Sequence, residues 1–158
     1  MQIEIKYGRK FEFNRIKQTL SKLEWYKTNG YIPRLPENLG NNSDKDIEKA
    51  IDKDFNEQDY EKAGKFIEEN LGYIEKFSSQ LVDLPNEIEI ILTKYGVGGS
   101  YNLPNKVIVN IAGNQTNKPI LDVIKHELIH LIAEKEVLEK KLSHQDKEKL
   151  IRSIERNL

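Results

Sequence analysis

Apolar and polar positions divide the chain into an alternating opening, a series of helical patterns, two β-like runs and a strongly apolar helix toward the C-terminus. Ile3, Ile5 and Tyr7 alternate with polar residues, and Phe11 and Phe13 resume the alternation beyond Gly8, which predicts a short hairpin turning at that glycine. From Asn14, suited to an N-cap, Ile16, Leu20, Leu23 and Tyr26 recur at helical spacing until Asn29-Gly30 ends the run. Two prolines and a Gly-Asn-Asn cluster make "YIPRLPENLGNNSD" a loop. Ser43 followed by Asp46 is a capping-box-like start for a helix through about Phe55. A longer helical pattern then runs through Tyr60, Phe66, Ile67, Leu71, Ile74, Phe77 and Leu81 toward Pro85. Between Asp44 and Glu75 eleven acids accompany five lysines, the pattern of solvated helix faces.

The β-like runs are "EIEIILTKY" (residues 87–95) and "KVIVNI" (residues 106–111), separated by the glycine-rich "GVGGSYNLPN", and together they predict a β-hairpin. That linker lacks both the Lys-Ser/Thr of a P-loop and the G-x-G-x-x-G spacing, so it reads as a hairpin connection, not a phosphate cradle. Pro119, after the polar "GNQTN", opens a helix extending into the 130s. Ile120, Leu121, Val123, Ile124, Leu128, Ile129, Leu131 and Ile132 surround most of its circumference, as in a buried central helix.

Composition narrows the class. The chain has 158 residues, 37% apolar and 32% charged, with net charge −1. That is one domain with a real core and no charge bias toward nucleic acid. No cysteine is present, which excludes disulfides, thiolate nucleophiles and cysteine-ligated metals. No apolar run reaches the ~20 residues of a membrane span, and "MQIEIKYGRKFEFN" lacks the apolar segment of a signal peptide. A cytoplasmic location is the expectation.

The chemistry lies in "ILDVIKHELIHLIAEKE", residues 120–136, which holds two of the chain's three histidines. His126, Glu127 and His130 form H-E-x-x-H. One helical turn places the two imidazoles about 40° apart on one face, where both can approach one ion. Zinc prefers nitrogen and carboxylate ligands and leaves a position for water at a catalytic site. Glu127, flanked by Val123 and Leu131 on the helical wheel, is costly to bury as an anion. It is the candidate to take a proton from the attacking water and deliver it to a leaving amine.

Through "HELIH" the chain resembles the zincin metallopeptidases, over about residues 87–155. The resemblance implies an α+β fold: a small mixed or antiparallel sheet with a β-hairpin, packed on the buried motif helix and a C-terminal helix. Residues 85–158 would be the catalytic core, and residues 1–84 an N-terminal hairpin and helical region, either part of the same domain or a small cap. Glu134 shares the histidine face but lies about 12 Å from His126 along a regular helix. The glycine and third histidine of the metzincins would fall at Ala133 and Glu136, which disfavours that branch. Peptide deformylases need a cysteine ligand, and the H-x3-H-x5-H endoribonucleases need histidine at Glu136.

A gluzincin-like arrangement fits better. Ser143 and Asp146 form a capping box, and Leu150, Ile151, Ile154 and Leu158 form a stripe for packing on the motif helix. Glu148 follows His130 at a separation like that of the gluzincin third ligand, with His144 or Glu136 as the alternatives; His144 is otherwise a hydrogen-bonding group for the scissile carbonyl. Arg152 stands where gluzincins often carry a supporting acid. Asn110 and Ala112 loosely match an Asn-Ala pair on the gluzincin substrate strand, "KVIVNI" would rim the cleft, and Tyr101 is a further oxyanion candidate. The implied function is zinc-dependent hydrolysis of a peptide or protein substrate, with no nucleic-acid or membrane partner. A non-catalytic zincin-fold binding or regulatory protein, with a structural metal or blocked cleft, is the alternative.

Overall fold

The computed structural model describes residues 1–113 and 119–158. The polar residues 114–118, most of the turn expected before the histidine helix, lie outside that description. The described chain is a mixed α+β fold: β1 (Gln2–Lys6), α1 (Arg9–Ser21), α2 (Leu23–Thr28), α3 (Asp44–Asp54), α4 (Glu57–Glu69), α5 (Leu71–Ser78), β2 (Glu87–Thr93), β3 (Gly99–Asn102), β4 (Lys106–Asn110), α6 (Ile120–Glu139) and α7 (His144–Asn157). Among the described residues no helix is long and apolar enough to cross a membrane.

The four strands form one mixed sheet in the order β1-β2-β4-β3. β1 runs parallel to β2 (Ile3 opposite Ile88, Ile5 opposite Ile90), β2 parallel to β4 (Ile90 opposite Val107, Leu92 opposite Val109), and β3 antiparallel to β4 (Tyr101 opposite Val107). Two expectations are overturned here. The segment after Gly8 does not return as a second strand; it is helix α1. Its buried face is Glu12, Arg15, Ile16 and Thr19, so the helical periodicity is carried largely by polar residues and the Phe11–Phe13 alternation is incidental. Likewise β2 and β4 are parallel neighbours, not a hairpin. Both are buried on both faces over most of their length, and such strands carry continuous apolar runs instead of alternation. The antiparallel partner is β3, drawn from the glycine-rich linker.

Ser43 caps α3, its side chain accepting from the Asp46 amide. The long pattern beyond Tyr60 is two helices, broken at Asn70, whose Nδ2 donates to the Phe66 carbonyl at 2.8 Å and whose backbone leaves helical geometry.

One core joins the N-terminal helices to the sheet and α6. Tyr60, Ile67 and Ile74 pack with Ile88, Ile90, Leu92, Val107, Ile124, Leu128 and Ile151. Each such fully buried aliphatic side chain contributes about 1.5–3 kcal/mol. A second cluster of Ile16, Leu39, Ile47, Ile51 and Tyr95 lies beside it.

Between β2 and β3 the chain crosses the end of β4, and the N-terminal region holds it there. Arg34 and Gly96 exchange backbone hydrogen bonds of 2.9 and 2.8 Å. Arg15, 4% exposed, donates from Nε to the Tyr95 carbonyl (3.3 Å) and from Nη1 to Ser100 Oγ (3.0 Å). Gly96, at φ +79°, makes room for that guanidinium, since a Cβ there would lie 2.3 Å from Arg15 Nε. The neighbouring Glu12 accepts from Tyr60 (2.6 Å) and from the Lys94 amide (2.7 Å), and burial raises its pKa.

Candidate metal centre

Helix α6 has buried residues around much of its girth, including Val123, Ile124, Leu128, Ile129 and Leu131, so it is held between the sheet, α5 and α7. Within it His130 and Glu127 are only 4% and 6% exposed. Helix α7 is set by Ser143, which accepts from the Asp146 amide, and by Ile151, which is fully buried in the core. Glu148 is one turn before Ile151, so the same face that docks α7 carries this carboxylate toward the histidines.

The result is a compact donor set. His126 Nε2 and His130 Nε2 are 3.2 Å apart, and the Glu148 oxygens lie 3.6 Å from the first and 3.4 Å from the second. Among the described residues these three form the one group able to offer a metal three donors, all within 4.8 Å of one another. Zinc bonds of about 2.1 Å in a tetrahedron require neighbouring donors roughly 3.4 Å apart. The two histidine nitrogens are near that edge length and each faces a different Glu148 oxygen at a similar distance, so the three side chains can close around a divalent ion such as zinc.

Support comes from behind. His126 Nδ1 lies 2.7 Å from Glu155 Oε1, an arrangement that orients the ring and leaves Nε2 as the free lone pair. Glu155 lies three residues beyond Arg152 on α7 and is the acid that reaches His126. His130 has no partner at Nδ1 among the described residues, and its ring is held by stacking on Tyr101 at 4.9 Å and 8°.

Electrostatics separate the groups. Burial works against ionisation of Glu148, but hydrogen bonds from His126 and His130 outweigh it and hold the carboxyl well below the usual range. Burial also opposes protonation of both histidines: it prevails at His130, whereas Glu148, Glu127 and Glu155 together raise His126. Glu127 is pushed up to about 7, mainly by burial, with His126 and Arg15 opposing.

Glu127 lies directly under the edge strand. A Cβ on Gly99 would fall 2.5 Å from Glu127 Oε1 and 2.5 Å from Val123 Cγ1. The carboxylate end can swing, but Val123 cannot retreat, so Gly99→Ala is expected to destabilise the protein by about 1–3 kcal/mol through overpacking. Denaturant unfolding measures this; unchanged stability would mean that β3 can lift away from α6.

No family model, curated protein or solved structure matches this chain. The functional reading therefore rests on the arrangement of its own side chains.

A cavity of about 950 Å³ opens over His126, Glu127, His130 and Glu148. Its far walls come from β3 and from α2 with the turn that follows. His144 lines it but is outside the donor set: its Nε2 is 2.9 Å from the Tyr31 hydroxyl. Glu136 pairs with Lys140 at the surface, so neither alternative third ligand joins the cluster. Tyr101 lines the cavity too, yet its hydroxyl donates to Glu134 and accepts from Lys147 (3.1 Å), which commits the proton expected for an oxyanion. Asn110 is buried, bonded to the Gly96 carbonyl (3.2 Å) and the Ala112 amide (2.9 Å); neither Asn110 nor Ala112 lines the cavity. The cleft-side strand is β3, not "KVIVNI".

Trp25, Tyr31, Lys147 and Glu155 escaped the sequence reading. Trp25 and Tyr31 stood in a helix and loop without motif, and Lys147 and Glu155 looked like ordinary members of an alternating-charge helix.

Proposed function

We propose that this protein is a zinc-dependent metallopeptidase. The observation that carries the reading is the clustering of one donor atom each from His126, His130 and Glu148 within 4.8 Å in the wall of an open cavity, beside a buried carboxylate, Glu127, that lies outside the cluster. His126, His130 and Glu148 would hold the ion. When bound, zinc supplies Lewis-acid activation of a water and of the scissile carbonyl.

The remaining work belongs to the chain. β3 pairs with β4 on one side only, so its free edge can align an extended peptide by backbone hydrogen bonds across the cavity. Glu127 takes the proton of the attacking water at its carboxylate and passes it to the nitrogen of the leaving amine. Tyr31 lines the same cavity and has a freer hydroxyl than Tyr101. His144 Nδ1 is buried without a partner, which favours the tautomer protonated at Nε2. His144 then donates to the Tyr31 oxygen and leaves the phenolic hydrogen for substrate.

A large cavity serves a binding protein as well as an enzyme; what favours the enzyme is Glu127, buried beside the donor cluster but not part of it. The deciding experiment is metal removal. Dialysis against a chelator is expected to abolish cleavage of a mixed peptide library, and one equivalent of zinc to restore it. Zinc retention without cleavage would favour the binding protein, and failure to bind zinc would sink both readings.

A further inference from the structure

The sole tryptophan of the chain is half exposed, 46%, and its exposure is into the cavity wall. It belongs to a built assembly. Gly30, at φ +76°, turns the chain after α2 so that the Tyr31 amide bonds the Tyr26 carbonyl at 2.8 Å. Tyr31 then stacks on Trp25 at 5.9 Å and 12°, with the buried Tyr26 edge-on to both. His144 closes the group, edge-on to Trp25 at 5.0 Å and bonded to Tyr31.

The position of this assembly relative to the donor set is fixed by α7. His144 is four residues before Glu148, a rise of about 6 Å along the helix. An extended peptide advances about 3.3 Å per residue. The aromatic wall and the donor set line one cavity, so a peptide held at the donors can bring a neighbouring side chain to Trp25. Leu103, 54% exposed at the end of β3, lines the same cavity.

We propose that Trp25, backed by Tyr31 and His144, is a specificity pocket that selects peptides carrying an aromatic residue next to the cleaved bond. Aromatic rings favour offset-stacked or edge-on partners with centroids 4.5–7 Å apart. The stack of Trp25 on Tyr31 has that geometry already, and Trp25 keeps exposed surface in the cavity wall for a third ring. A small side chain has no ring to stack there. This inference rests on the peptidase reading for the position of the bond, but recognition itself is measurable without turnover.

The test uses the zinc-loaded full chain with Glu127→Gln, titrated with acetyl-tetraalanine amide and with its four versions carrying a single Phe. Binding is measured by calorimetry and by tryptophan emission, which reports on Trp25 alone. At least one Phe peptide is expected to bind about tenfold or more tighter than tetraalanine and to shift the emission. Trp25→Ala is expected to bring that ratio below about threefold. Equal binding of all five peptides, no binding at all, or Phe selectivity without an emission change overturns the proposal, as does a ratio that survives Trp25→Ala. Phe-selective binding with no cleavage by the native chain sinks the peptidase reading and leaves the pocket standing. Cleavage without side-chain preference does the reverse.

Discussion

Glu127→Gln is expected to lower kcat on any cleaved peptide by about 10²–10⁴-fold while the protein keeps its zinc. The substitution preserves shape, so the close contact with β3 at Gly99 is retained. It removes only the ability to accept and return a proton. Because Glu127 is not among the three clustered donors, zinc content should match the native protein. Parallel measurement of kcat and of zinc by atomic absorption checks both halves. Activity that survives the substitution would remove Glu127 from the mechanism, and zinc loss would make it a ligand or a support for one.

Glu148→Ala should act on the other quantity. Outer-sphere partners of a metal site typically contribute 10–100-fold to affinity. Removing a direct oxygen donor is expected to cost more, so zinc affinity should fall by at least about 100-fold in a competition titration. Glu155→Ala provides the internal scale: it deletes the support for His126 Nδ1 and should fall within the 10–100-fold range of such partners. If Glu148→Ala bound zinc no more weakly than Glu155→Ala, the third donor would have to be sought elsewhere. His144, tied to Tyr31, would need to leave the aromatic wall to serve.

The donor set was legible because it is written in local spacing. His126 and His130 are one turn apart, and Glu148 follows from a cap and an apolar stripe that dock the next helix. The same local logic located the caps at Ser43 and Ser143, the loop after Gly30 and the two β-like runs. What local spacing does not encode is which segments become neighbours. Whether β2 and β4 pair antiparallel as a hairpin or parallel with β3 added outside β4 depends on where the linker crosses, and Arg15 and Arg34, from the N-terminal region, hold that crossing. Helix α1 was misread for a related reason. Arg15 and Glu12 face inward to serve this crossing, so its buried side carries charges where periodicity analysis looks for aliphatics. Asn110 and Ala112 were assigned by likeness to a strand, and Tyr101 from its place in the linker; only the three-dimensional pairing shows which of these segments faces the cavity.

The crossing segment near Gly96 also limits how the molecule can be dissected. A fragment beginning at residue 85 would hold every proposed zinc ligand and still lose β1 from the sheet and the guanidinium that tethers Ser100. The pairing of β3 with β4 would then be left to hold the edge strand over Glu127 without its N-terminal tether. Half the chain looks like an accessory when the proposed ligands alone are counted, yet it is the splint for the half that carries them.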